Sequence, residues 1–293
     1  MKRNTLNWTM TAVVALGLVG AAATAQGQET EEGAEKKFLV VQSADEVPAK
    51  LQSAVSRYLK GNKLPEGYKL KIEVDRYFDQ GQTNSSNEYE PYVRSLVPVD
   101  EKGLEQGYMF VFDRVKRNLE QTIPYVDGKR HGMAQRFANR KLRSKIPWVE
   151  DKMEGLKKEF YPDGEVLTEV ELADGEANGS IKTYTPEGDL MREGTMKDGK
   201  RNGPMIDYWP ETGNRRRKVV YDMGEIADDV VMYHPNGNVQ RVIPIHDNSR
   251  HGIGRVCDQD GKEVEKTYWV DGDQVSKFEY EQHLRTQAKN NGK

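Results

Sequence analysis

From residue 99 onward the apolar positions of this chain recur about every 24 residues, punctuated by two alternating turn signals. The first joins an aromatic residue to Pro and Gly: Tyr161–Pro162–Asp163–Gly164, Tyr184 through Gly188, Tyr208 through Gly213, and Tyr233 through Gly237. A worn copy closes on Asp260–Gly261. The second, Asp-Gly-x-x-x-Gly, stands at Asp127–Gly132, Asp174–Gly179 and Asp198–Gly203, with degenerate copies ending at Gly107, Gly155, Asp228 and Gly252. The two signals lie half a period apart. Pro presets φ for a turn, Asp and Asn tolerate the left-handed region, and Gly enters it freely. Such punctuation marks strands joined by tight turns, so each unit reads as one β-hairpin plus a connection.

Two side-chain columns run through the units. The first holds Phe112, Phe137, Phe160, Tyr184, Tyr208, Tyr233 and Cys257. The second holds Tyr125, Val149, Leu172, Met196, Tyr221, Ile245 and Trp269. Equivalent positions of successive hairpins line one face, so these columns are the expected stacked core.

The chain before residue 99 is patterned differently. Lys2 and Arg3 precede an apolar-and-small run from Met10 to Ala23 and an Ala23–Thr24–Ala25 cleavage site. That is the layout of a secretory signal peptide over 1–25, and the run is too short to cross a bilayer. Residues 26–37 are polar and predict a disordered linker. Over 38–98 the pattern predicts a small α+β segment: a strand at Phe38–Gln42, a helix over Glu46–Lys60 with Val47, Leu51, Val55 and Leu59 every fourth residue, and a strand at Tyr68–Val74. The repeat array spans 99–280 and a polar tail 281–293. The fold class is therefore mainly β, an elongated antiparallel sheet of about seven hairpin units behind a small α+β segment.

Composition narrows the function. In 293 residues, 31% are charged, 36% are hydrophobic and the net charge is −3, a lean mixture that suits a thin array more than one compact core. Near-balanced charge leaves no basic footprint for nucleic acid. Cys257 is the one cysteine, which excludes an intramolecular disulfide and fits a periplasmic or extracellular setting better than a disulfide-built module.

The stretch Glu193–Tyr208, EGTMKDGKRNGPMIDY, resembles the bacterial variant of the MORN repeat, and the likeness extends over 99–280. The resemblance implies consecutive antiparallel hairpins. It also implies a scaffold, with an antitoxin role in the YwqK-like group and lipid contact in some relatives. The early units depart from the pattern: Asn139, Arg140 and Lys141 stand where Pro-Asp-Gly belongs.

No catalytic constellation stands out, and neither a cofactor nor a metal site is expected. The five histidines lack ligand spacing, and His131 and His251 take a turn position held elsewhere by Asn178 and Asn202. Cys257 reads as a buried small hydrophobe. The Asp-Gly turns lack the P-loop pattern and the nonapeptide period of calcium rolls. One dense basic run remains, Arg215–Arg216–Arg217–Lys218, beside Trp209. These five residues are the candidate contact site for a partner or an anionic surface, against the plainer reading of a solvated strand edge. The sequence thus predicts an exported, non-enzymatic repeat scaffold that binds a protein partner along its sheet face. The alternatives are a toxin-neutralising role and peripheral contact with an anionic membrane.

Overall fold

The computed structural model describes residues 37–61, 64–77, 90–113 and 118–291. The expected signal peptide lies outside these residues, as does the expected linker except for Lys37. Strand β1 (Lys37–Val41) pairs with β2 (Lys69–Tyr77), and β2 with β3 (Glu90–Val99). Helix α1 (Ala49–Gly61) lies on this sheet and buries Leu51, Val55 and Tyr58 against Leu70, Ile72 and Leu96. The four-residue stripe drifts around a 3.6-residue helix, so Tyr58 replaces Leu59 as the most buried residue of the last turn.

β3 also pairs with the first strand of the array, so hydrogen bonding runs without a break from the α+β segment into the repeats. Seven hairpins follow. Their strand pairs are Gly107–Phe112 with Leu119–Val126, Gly132–Ala138 with Lys141–Val149, and Gly155–Phe160 with Val166–Ala173. Next come Glu176–Tyr184 with Leu190–Lys197, and Gly203–Tyr208 with Arg215–Asp222. The last are Val230–Tyr233 with Val239–Ile243, and Gly252–Cys257 with Glu263–Val270. Each hairpin pairs antiparallel with the next, giving one long antiparallel sheet.

The two turn signals do different jobs. Between hairpins, both central residues have positive φ: Asp127 and Gly128 (50°, 77°), Asp174 and Gly175 (52°, 92°), Asp198 and Gly199 (48°, 72°). This is the type I′ turn, whose twist matches that of the strands it joins. The turns also stack. Gly175 N–H donates to Met153 O, Gly199 to Ala177 O, and Gly224 to Arg201 O, each reaching back one unit. Within a hairpin, the Pro-Asp-Gly turn closes through bonds such as Gly164 N–H to Tyr161 O.

The two columns do not share a face. In the fifth hairpin Tyr221 stands opposite Gly203, while Tyr208 lies five residues further along that strand and projects from the other side. The Tyr208 face also carries both helices: α1 packs at its first strands, and Tyr280 of α2 (Lys277–Asn291) meets Tyr268 at 5.6 Å. This is the helix face, and the Tyr221 side is the open face. Most column residues are half-buried, because a single sheet has only neighbouring hairpins to cover them.

Two sequence expectations need correction. Trp148, not Val149, stands opposite Gly132, where the other units place Leu172, Met196 or Tyr221. The second hairpin closes through the tight pair Asn139–Arg140, both at positive φ, so its return strand runs one residue ahead. Val149 ends that strand, paired with Lys152 beside the next turn, and is 43% exposed. Most of the expected polar tail is helical, since α2 runs from Lys277 to Asn291. Ser276 and Glu279 close its start reciprocally: Ser276 N–H donates to Glu279 Oε2 at 2.8 Å and Glu279 N–H to Ser276 Oγ at 3.2 Å. That Ser-x-x-Glu capping box was readable in the sequence.

Candidate functional site

The basic run opens the second strand of the fifth hairpin, and strand alternation divides it. Asp207 pairs with Arg217 and Tyr208 with Arg215, which leaves Arg216 as the extra residue of a bulge. Arg217 lies on the open face; Lys218 lies on the helix face, where Arg215 sits beside Tyr208. Trp209 is half-buried, and its indole N–H donates to Tyr233 O at 3.2 Å. Tyr161 Oη donates in the same way to Tyr184 O, and His234 Nε2 lies 3.0 Å from Cys257 O. Trp209 is therefore one of three side chains that tie the inner turns of the third, fifth and sixth hairpins to the hairpin that follows. Arg216 stands over its ring at 5.7 Å. The five residues do not form one flat cationic patch.

The structure gathers part of the run around a residue the sequence reading missed. Asp207, whose side chain is 5% exposed, accepts from Arg192 Nε at 2.5 Å and Arg217 Nε at 2.9 Å, with Arg216 Nη2 at 4.0 Å. Arg192 comes from the preceding hairpin, where it stands opposite Asp207. A signal existed: Arg192, Arg217 and Arg241 fall at one repeat position, as the register Arg192↔Asp207↔Arg217↔Met232↔Arg241 shows.

The open face also stacks cations on its aromatic column. Arg130 lies 3.8 Å from the Trp148 ring centroid, Arg201 5.2 Å from Tyr221 and Arg250 4.8 Å from Trp269. Each arginine follows an outer turn and covers the column residue of the next hairpin. On the helix face the column is fixed by carboxylates: Tyr184 Oη donates to Glu169 at 3.0 Å and Tyr208 Oη to Glu193 at 2.5 Å. Burial, reinforced by the Glu193 bond, pushes the Tyr208 phenol up to about 12. The Lys158 ammonium beside Glu169 holds that carboxyl below its usual range.

A second feature of the helix face is an exposed apolar stripe. Tyr108, Met133, Leu156 and Ile253 each follow the glycine that opens their hairpin and are 51%, 41%, 40% and 53% exposed. Pro124 and Pro147 stand opposite Tyr108 and Met133, and Tyr268 opposite Ile253. In the first three hairpins the stripe is contiguous; Glu171, Ser180 and Thr195 interrupt it before Pro204 and Val220 resume.

Other candidates fall into place. Cys257 is buried, in the column where the sequence put it. His246, His251 and His283 gather where α2 meets the sheet, with ring centroids 6.1 Å and 5.7 Å apart. His131 donates its backbone N–H to Pro124 O, and His251 to Pro244 O, as turn residues do. Among the described residues, no three His, Cys, Asp or Glu side chains are grouped to hold a metal ion. No described helix is long and apolar enough to cross a membrane.

The arrangement is that of a tandem hairpin-repeat protein. Residues 153–174 match the family model described as MORN repeat variant, which supports a MORN-type reading of the repeats. No curated protein matches the chain. Among solved structures, a mutant of TarM from S. aureus, in complex with Fondaparinux, alpha-GlcNAc-glycerol and UDP, is similar at 15% identity and a TM-score of 0.27. The match covers 34% of this chain and 19% of that chain, too slight an overlap to carry any argument.

Proposed function

We propose that this chain is an exported, non-enzymatic repeat scaffold that docks a protein partner on its helix face. The observation that carries the reading is the stripe of Tyr108, Met133 and Leu156, contiguous over the first three hairpins. Single exposed apolar residues are ordinary on any surface, but a row of them in one repeat register, rimmed by polar positions, is the form a docking site takes. Among the described residues the helices pack at the two ends of this face, α1 on its first strands and α2 at Tyr268. The stripe offers area and shape without nucleophiles or perturbed acid–base pairs, which supports binding over catalysis. Contact with an anionic membrane through Arg215–Lys218 is less favoured, since strand alternation sends those cations to both faces. A toxin-neutralising role is a narrower form of the same proposal, with a toxin as the partner.

The test is affinity capture from the envelope fraction of the native cell with the chain from Gln26 onward as bait. One specific protein should be retained by the wild type and lost by Met133→Lys combined with Leu156→Lys, with the melting temperature unchanged. Equal capture by both baits would refute the docking face. Mass spectrometry of the exported protein should find Gln26 as its first residue; a retained Met1 would refute processing.

A further inference from the structure

Around Asp207 the open face holds a local imbalance of charge, three arginines on one carboxylate. The cross-strand ladder from Glu159 to Glu265 has a carboxylate at each end; between them arginine recurs at 192, 217 and 241, and Asp207 is the one carboxylate among them. Asp207 is nearly buried and accepts the Nε–H of both Arg192 and Arg217. A guanidinium has five N–H donors in a planar fork, and an Nε contact leaves the outer Nη edge available. The side chains of Arg192, Arg217 and Arg216 are still 37%, 44% and 49% exposed. A shared buried acceptor orders Arg192 and Arg217, while Arg216 is steadied over Trp209. A ligand meeting forks already held in place loses less side-chain entropy than one meeting free arginines.

Charge then selects the ligand class. Three cations against one anion leave a surplus of two. A single carboxylate would answer half of it; a phosphate or sulfate dianion answers all of it, and its oxygens suit planar forks better than an ammonium contact would. We propose that Arg192, Arg216 and Arg217, positioned by Asp207, form a binding site for a doubly charged tetrahedral oxyanion, a phosphate or sulfate group. The site lies on the face opposite the apolar stripe and stands independently of the protein-docking reading.

The probes are inorganic phosphate and inorganic sulfate, titrated separately into the full chain at ionic strength held constant with chloride, with binding read by calorimetry. Saturable binding is expected, weakened by roughly tenfold or more in Arg217→Gln. Arg217→Lys keeps the charge and removes the fork, and should weaken binding to a similar degree. Lys218→Gln, on the opposite face, should leave it unchanged. Phosphate should bind more tightly as pH rises from about 5.5 to about 8 and it loses its second proton, while sulfate should not respond. Absence of saturable binding would overturn the site. So would wild-type affinity in Arg217→Lys or an equal loss in Lys218→Gln, since either outcome assigns the attraction to diffuse charge. A flat pH response for phosphate would overturn the requirement for two charges. Should an Arg217 variant melt below the assay temperature, Arg192→Gln and Arg192→Lys make the same comparison.

Discussion

At the scale of single residues, what holds this sheet together is the side chain that reaches one hairpin ahead. Arg130 is such a residue: it lies 3.8 Å from the ring of Trp148, which fills the open-face column of the second hairpin. Trp148→Ala should cost about 2 kcal/mol through lost burial and a lost cation–π stack. Val149→Ala, at the exposed end of its strand, should stay within about 0.5 kcal/mol. Chemical denaturation of the two variants separates these outcomes. Two phenols, the buried Tyr58 and the half-buried Tyr208, give a pH signature. Tyr58 and Tyr208 are each raised from 10.0 to about 12, in both cases chiefly by burial. A raised phenol pKa means the fold favours the neutral form. The stability this contributes is fully present below pH 10 and is lost as pH rises through 12. Absorbance at 295 nm should show these tyrosines ionising late, and the denaturation midpoint should fall across that window less in Tyr58→Phe than in the wild type.

At the scale of elements, the turns determined what could be read from sequence. Asp127–Gly128 and Asp198–Gly199 announce a positive-φ pair by composition, because few residues accept two left-handed positions in succession. Glu150–Asp151 and Asp247–Asn248 adopt the same geometry with a weaker signal, and the repeat spacing located them. Spacing failed where the inner turn shortened to Asn139–Arg140: counting along the chain then pointed to Val149, whereas register is set by the turn actually made. The split of Arg215–Lys218 failed for a related reason, since a bulge at Arg216 changes which side chains share a face. Asp207 went unnoticed because a lone acid in a polar chain draws no attention by itself; the recurrence of Arg192, Arg217 and Arg241 around it was the readable sign. Met223 is a place where sequence and turn disagree, an apolar residue at φ 44° ahead of Gly224. Met223→Asn should stabilise the protein by about 0.5–1 kcal/mol, seen as a higher melting temperature, since Asn accepts that conformation at lower cost.

At the scale of the whole molecule, the sheet runs unbroken from β1 into the seven hairpins, with α1 and α2 on the same face. Export and the binding role rest on sequence and on the stripe, and one experiment in living cells addresses the binding role directly. A photo-crosslinking amino acid is placed at Leu156 on the helix face and, in a second strain, at Ile181 on the open face. A scaffold that docks its partner along the helix face should yield one discrete crosslinked protein from position 156 and none from position 181. Crosslinks from both positions to the same protein, or from neither, would contradict it.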